Sequence, residues 1–342
     1  MRIPNKILFS LIVLLILAAG IGLAVHQTAY PSIPVNGSDI STTTVHLDFP
    51  FMEDRVTGDI TLDLAPYYGA KSAGSKSMPL FGCSPERYYS AVAYDPAQDG
   101  MYAELLGFFD AYTKGHALTS DEYIELLTTY VQNIPYKTSG REIKFPIETV
   151  IDGWGDCDDK SILLAGLLDK KGYDAGVFLF IKDDHMAAGV KGGSQTEYED
   201  SGYSLIETTR YAYVGEIPEL LHQESDHGDY AFYRIGNGTD AYTASWQIQT
   251  ILNVRDTAYA ALDLLYQTLN SLGRTIENEK TMLEDPENAS NSTLRSAYDL
   301  HLHEYDEGIE AGNKIRSVLH MINSEPYNRE NVYQTIVSGR RI

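Results

Sequence analysis

Cysteine is almost absent from this chain: of 342 residues, only Cys83 and Cys157 carry a thiol. Two cysteines make no disulfide framework, so the fold must rest on packing. A Cys83–Cys157 bridge is the plain alternative use of the pair. Basic residues are scarce as well. Lys and Arg number 26 against 48 Asp and Glu, a net charge of -22, and no basic run occurs. That excludes nucleic acid as a partner, because phosphate binding needs clustered cations. An acidic surface favours solubility and suits cations or basic substrates. Apolar residues are plentiful at 43%. The length allows two domains of roughly 100–200 residues each.

Ile7 to Val25 is almost wholly apolar and close to the ~20 residues that span a bilayer as a helix. Arg2 and Lys6 precede it, and no Lys or Arg follows until Arg55. By the positive-inside rule the N-terminus stays in the cytoplasm and the rest lies outside. A cleaved signal peptide is the alternative, but the run is longer than a usual signal core and no clear A-x-A site follows. Residues 1–27 therefore read as a membrane anchor, and the chain as a single-pass protein of the cell membrane. Sequons at Asn36, Asn237, Asn288 and Asn291 fall in polar, turn-like stretches and fit an outward-facing chain, a glycoprotein if they are used.

Residues 28–95 read as a tether followed by a small β-containing segment. Thr44–Phe49 and Ile60–Leu64 alternate apolar and polar, the pattern of strands. Residues 96–235 hold the chemistry. Met101–Tyr112 has apolar residues at helical spacing, and Thr119-Ser-Asp-Glu122 is a capping box for a helix running to Val131. Pro135 closes that helix. A helix follows Cys157 and ends at Lys170-Lys171-Gly172, basic residues and then a glycine stop. Gly176–Ile181, His185–Val190 and Tyr203–Thr208 read as three strands. In residues 245–337 apolar residues recur every three or four positions on both sides of a polar break at Asp285–Ser292. That pattern predicts an antiparallel, coiled-coil-like helical hairpin.

The sharpest feature is Gly155-Asp156-Cys157-Asp158-Asp159-Lys160. A glycine turn delivers a cysteine to the start of an apolar helix. A helix N-terminus favours a thiolate, and its N–H groups can hold an oxyanion. His185 lies 28 positions on (185 − 157) at the start of a strand. If Val190 pairs near Tyr203, antiparallel partners sum to about 393 and Glu207 falls opposite Met186, beside the imidazole. Cys157, His185 and Glu207 then form a nucleophile, its base and the acid that orients the base. Glu199, Asp200 and Asp183 are other acids that could stand in Glu207's place. His222, Asp226, His227 and Asp229 have the residue types of a metal site but no recognised ligand spacing.

These residues resemble the transglutaminase-like superfamily, and most nearly its prokaryotic, extracytoplasmic cysteine peptidases. The resemblance covers about residues 100–220. It is carried by Phe145-Pro-Ile-Glu-Thr-Val150, Gly155-Asp-Cys-Asp-Asp-Lys-Ser161, Gly172-Tyr-Asp174, Asp184-His-Met-Ala-Ala-Gly-Val190 and Ile206-Glu-Thr-Thr209. It implies an α+β fold with a papain-like core, the cysteine helix packed on an antiparallel sheet. It also implies Cys157 as nucleophile, His185 as base and Glu207 as third member. The family usually carries Asp in that last place, so Glu207 is a departure. Thiol chemistry of this kind requires no cofactor. Some members of the peptidase branch bind Ca2+ with acids flanking the nucleophile, which here would be Asp156, Asp158 and Asp159.

The expectation is a membrane-anchored, extracytoplasmic thiol enzyme acting on peptide or amide bonds of surface proteins, by hydrolysis or by acyl transfer. Its rival is a silent transglutaminase-like scaffold whose helical hairpin carries a protein interaction.

Overall fold

The computed structural model describes residues 11–20, 30–34, 41–74, 76–78, 83–138, 140, 142–218, 221 and 230–339. The fold is mixed α and β, and it divides into two units at Ser245/Trp246. Residues 11–20 are helical. The rest of the expected anchor, residues 1–10 and 21–27, lies outside the described residues. Among the described residues no helix is long and apolar enough to cross a membrane.

In the first unit, β1 (Thr42–Phe51) and β2 (Asp54–Asp63) form an antiparallel hairpin with Phe51 opposite Asp54. Alternation sorts its faces. Leu47, Phe49, Phe51, Val56, Ile60 and Leu62 are buried, while Arg55 pairs with Asp48 on the exposed face at 2.6 Å. Helix α1 (Leu64–Ser72) follows at once, capped by the Asp63 carboxylate. Helix α2 (Pro85–Ala93) starts on a proline, which has no N–H to leave unpaired. Neither helix is among the expected elements.

Helices α3 (Asp99–His116) and α4 (Ser120–Asn133) come next, and α4 opens with the expected capping box of Thr119 and Glu122. Both pack on the hairpin, α3 on β2 and α4 on β1. The β structure expected in residues 28–95 is thus packed against two helices of this unit. Helix α5 (Pro146–Asp152) leads into α6 (Cys157–Lys170).

Helix α6 is buried on every side. Ile162, Leu163, Leu164, Ala165, Leu167 and Leu168 have no accessible surface. A helix that is apolar all round belongs in an interior, and each large side chain there contributes about 1.5–3 kcal/mol. It lies against β3 (Ala175–Phe180) and β4 (His185–Lys191). With β5 (Tyr203–Ile206) and β6 (Tyr230–Ile235) these strands form an antiparallel sheet in the order β5-β4-β3-β6. Strand β3 ends one residue earlier than expected. Ile181 lies in the β3–β4 turn and is 75% exposed. Phe178, Phe180, Ala187, Tyr198 and Leu205 form a core at this sheet, extended by Tyr230 and Phe232. Gly189 is required there, since a Cβ would meet the rings of Phe178 and Phe232 at 2.7 and 2.9 Å.

The second unit consists of α7 (Ser245–Glu284), α8 (Ser292–Ser324) and α9 (Arg329–Ser338). Helices α7 and α8 run antiparallel. Asn323 donates to Tyr259 at 2.8 Å, Arg316 to Tyr266, and His301 pairs with Glu279 at 2.9 Å. Buried side chains gather where α7 begins and α8 ends, at Ile248, Ile251, Val318, Leu319 and Ile322, with Val332 and Ile336 of α9. Asn291 caps α8 through its Oδ1, and Asn288 lies in the connecting turn. Asn237 is exposed after β6, and Asn36 is outside the described residues.

Candidate active site

The chain reaches Cys157 through a tightly fixed turn. Phe145 N–H donates to the Glu148 carboxylate at 2.9 Å, and α5 stops at Gly153 in the left-handed region, φ 68°. Gly155 then lies alongside residues 135–137. Its N–H donates to Pro135 O at 3.2 Å, and Lys137 N–H donates to its carbonyl at 3.0 Å. A Cβ on Gly155 would sit 2.9 Å from that of Asp159, so only glycine fits without a shift.

Asp156 is the N-cap of α6. It accepts from Asp159 N–H at 3.3 Å, and the Asp159 carboxylate accepts from Asp156 N–H at 3.3 Å in return. Asp159 also accepts from Lys144 N–H at 2.7 Å. The side chain of Lys144 closes the same turn from the other end, with Nζ 2.9 Å from Asp152 and donating to Trp154 O at 3.0 Å. Cys157 is the first residue of α6 and 8% exposed. Both cysteines are free.

Strand β4 brings His185, the candidate base. The backbone of Met186, one residue beyond His185, lowers the Cys157 thiol value, against the larger effect of burial. Ser161, one turn along α6, donates to Met186 O at 3.2 Å and meets Thr208 Oγ1 at 3.1 Å. Helix, β4 and the end of β5 are thereby locked together. His185 Nε2 lies 3.1 Å from Glu207 Oε2, and both side chains are nearly buried. Ile206 pairs with Ala188, so partners sum to 394, one more than the sequence register, and the longer glutamate arm still reaches the ring. Thr209 holds the other Glu207 oxygen with its N–H and its hydroxyl, each at 2.6 Å.

The electrostatics of the set are uneven. Burial alone would raise the Glu207 carboxyl, but the hydrogen bond and charge of His185, with Thr209, bring it down to about 2. Burial pushes the Cys157 thiol up to about 12, and Asp158 adds to this, its carboxylate accepting from the thiol at 3.5 Å. Burial and then Asp156 raise Asp158 too, and the same two causes hold Asp159 up to about 7. The resting thiol is therefore protonated at neutral pH. Asp158→Asn removes one of the two leading causes, so it should lower the thiol value. Alkylation of Cys157 at fixed pH should then quicken, roughly tenfold for each unit by which the value falls. An unchanged rate against iodoacetamide would show that Asp158 does not govern the thiol.

Asp156, Asp158 and Asp159, the acids that could hold Ca2+, have other partners here: two close the helix cap and the third accepts from the thiol. Among the described residues no group of three or more His, Cys, Asp or Glu is placed to hold a metal ion. Asp226, Asp229, His222 and His227 lie outside the described residues.

Three residues of the site carry no signal in the sequence. Tyr136 is 54% exposed, yet it bridges to Gly155, and its phenol is raised by burial and then by the charge of Cys157. Gln132 donates to Glu207 O at 2.8 Å and to Ala212 O at 3.0 Å. Lys160 is fully buried.

Comparison with known proteins gives no match among family models, curated proteins or solved structures.

Proposed function

We propose that this chain is a thiol enzyme of transglutaminase-like type, with a papain-like arrangement of the Cys157 helix on the β3–β6 sheet. The observation that carries the reading is the His185–Glu207 contact of 3.1 Å on β4, the strand that the Cys157 helix holds through Ser161 and Met186 O at 3.2 Å. Glu207 takes Nε2, which leaves Nδ1 as the nitrogen that receives the thiol proton. The Cys157 sulfur bonds to a carbonyl carbon while His185 accepts its proton. Backbone N–H groups at the start of α6 hold the oxyanion. The C–N bond then breaks, His185 returns the proton to the leaving amine, and a thioester remains. Water or an amine attacks the thioester, again with His185 as base, giving an acid or a new amide and the free thiol. The substrates on this reading are peptide or amide bonds of surface proteins, and the anchor at residues 1–27 keeps the enzyme at the outer face of the membrane.

One observation favours a second reading, a silent scaffold: the thiol is raised to about 12 and faces a carboxylate. The two readings differ in one product. Full-length chain mixed with a digest of surface proteins and quenched in acid should carry an acyl mass on Cys157 that hydroxylamine removes. An unmodified Cys157, with no new amine or acid termini in the digest, would favour the scaffold.

A further inference from the structure

Lys160 is the least expected charge in the molecule. It stands one turn after Cys157 on α6 and has no accessible surface. Taking an ammonium out of water is costly, and a methionine of similar length would fill such a position without that cost. Among the described residues no carboxylate lies within ion-pair distance of it. Its Nζ donates instead to two backbone carbonyls, Ile134 O at 2.6 Å and Gln132 O at 3.3 Å. Both belong to the C-terminal end of α4, where carbonyls lack partners within the helix and the dipole favours a cation.

What those carbonyls belong to gives the lysine its place in the site. Beyond Ile134 the chain runs straight into Pro135–Lys137, the strip hydrogen-bonded to Gly155 two residues before the thiol. The amide of Gln132, whose carbonyl Lys160 holds, reaches the other way to the carbonyl of Glu207. One buried ammonium therefore joins the turn that presents Cys157 to the acid that orients His185.

We infer that Lys160 is the positioning residue of this site, fixing the end of α4 so that Tyr136, Gly155 and Glu207 keep their places around Cys157. The inference rests on the thiol-enzyme reading for its chemical readout and not for its structural one.

The test compares the full-length chain with its Lys160→Met, Gln132→Leu and His185→Ala variants. Three quantities are read: melting temperature, amide exchange at Lys137 and Gly155, and the rate at which iodoacetamide modifies Cys157 at pH 7. Lys160→Met should remain folded. Its Lys137 and Gly155 amides should exchange about tenfold faster or more, and Cys157 modification should fall about tenfold, toward the His185→Ala rate. Gln132→Leu should slow modification while leaving the Gly155 amide protected. Faster exchange in Lys160→Met with a native modification rate would make the lysine a helix cap only and overturn the inference. So would native values of both. If the unaltered chain is modified no faster than His185→Ala, the thiol-enzyme reading falls, and exchange alone decides whether Lys160 positions the turn. If Lys160→Met fails to fold, native modification of Gln132→Leu overturns the link to Glu207.

Discussion

His185→Ala should slow modification of Cys157 at pH 7 by roughly 10²–10⁴-fold, the span that a positioned general base contributes. The argument begins with the thiol. Burial and Asp158 hold it up to about 12, so the thiolate present without help at pH 7 is a very small fraction. A neighbouring base is then the only route to a fast reaction near neutrality. On the proposed reading His185 fills that role, its Nε2 fixed by Glu207 and its strand tied to the Cys157 helix through Ser161 and Met186 O. The pH profile separates this base from a merely structural histidine. In His185→Ala the residual rate should climb tenfold per pH unit toward about 12, the behaviour of an isolated buried thiol. The unaltered chain should add to that climb a component at neutral pH. Superimposable profiles for the two chains, measured with iodoacetamide and mass spectrometry of the Cys157 peptide, would remove His185 from the chemistry.

Much of this arrangement is legible in the sequence because it is local or periodic. Thr119 and Glu122 announce the start of α4, and the structure places the cap there. The apolar runs Gly176–Ile181 and His185–Val190, with the Asp183-Asp184 turn between them, set the hairpin. Once two strands pair, the position of Glu207 follows from a sum, here wrong by one residue. The heptad-like spacing after Trp246 gives α7 and α8, though not α9, which is short and polar.

What stayed hidden depends on contacts across long stretches of chain. Lys71, Lys76 and Lys144 look like ordinary surface cations. In the fold they converge on Glu148 and Asp152 of α5, and Tyr67 joins them by donating to Asp152 at 2.8 Å. No spacing rule encodes that meeting. The three aspartates around Cys157 carry two signals. Their charge suggests a cation, and Asp156 and Asp159 also sit three apart at a helix start, the separation of reciprocal caps. That signal is present in the sequence and competes with the more conspicuous one.

Glu207 should make the stability of the first unit depend on pH in a defined direction. Its carboxyl is brought from an ordinary 4.5 down to about 2, burial being outweighed by His185 and Thr209. A carboxyl whose folded value lies below its unfolded value stabilises the fold fully above the unfolded value. That contribution disappears as pH falls through the folded one. The gap between 4.5 and about 2 corresponds to about 3 kcal/mol. Glu207→Gln keeps the shape and removes the charge, so it should be less stable than the unaltered chain by about this amount at pH 7. The difference should shrink below pH 4.5 and vanish near pH 2. The chain has two tryptophans, Trp154 and Trp246. A Trp246→Phe background leaves Trp154, on the turn before Cys157, as the reporter of denaturant unfolding in the first unit. A stability difference that does not change between pH 7 and pH 2 would mean that the carboxylate is not the charge His185 and Thr209 hold, and Glu207 would lose its place as the acid behind the base. A difference that fades over that window would leave a buried carboxylate kept ionised by an imidazole and two threonine donors. That is the condition under which His185 keeps Nε2 occupied and, on the proposed reading, leaves Nδ1 for the thiol proton.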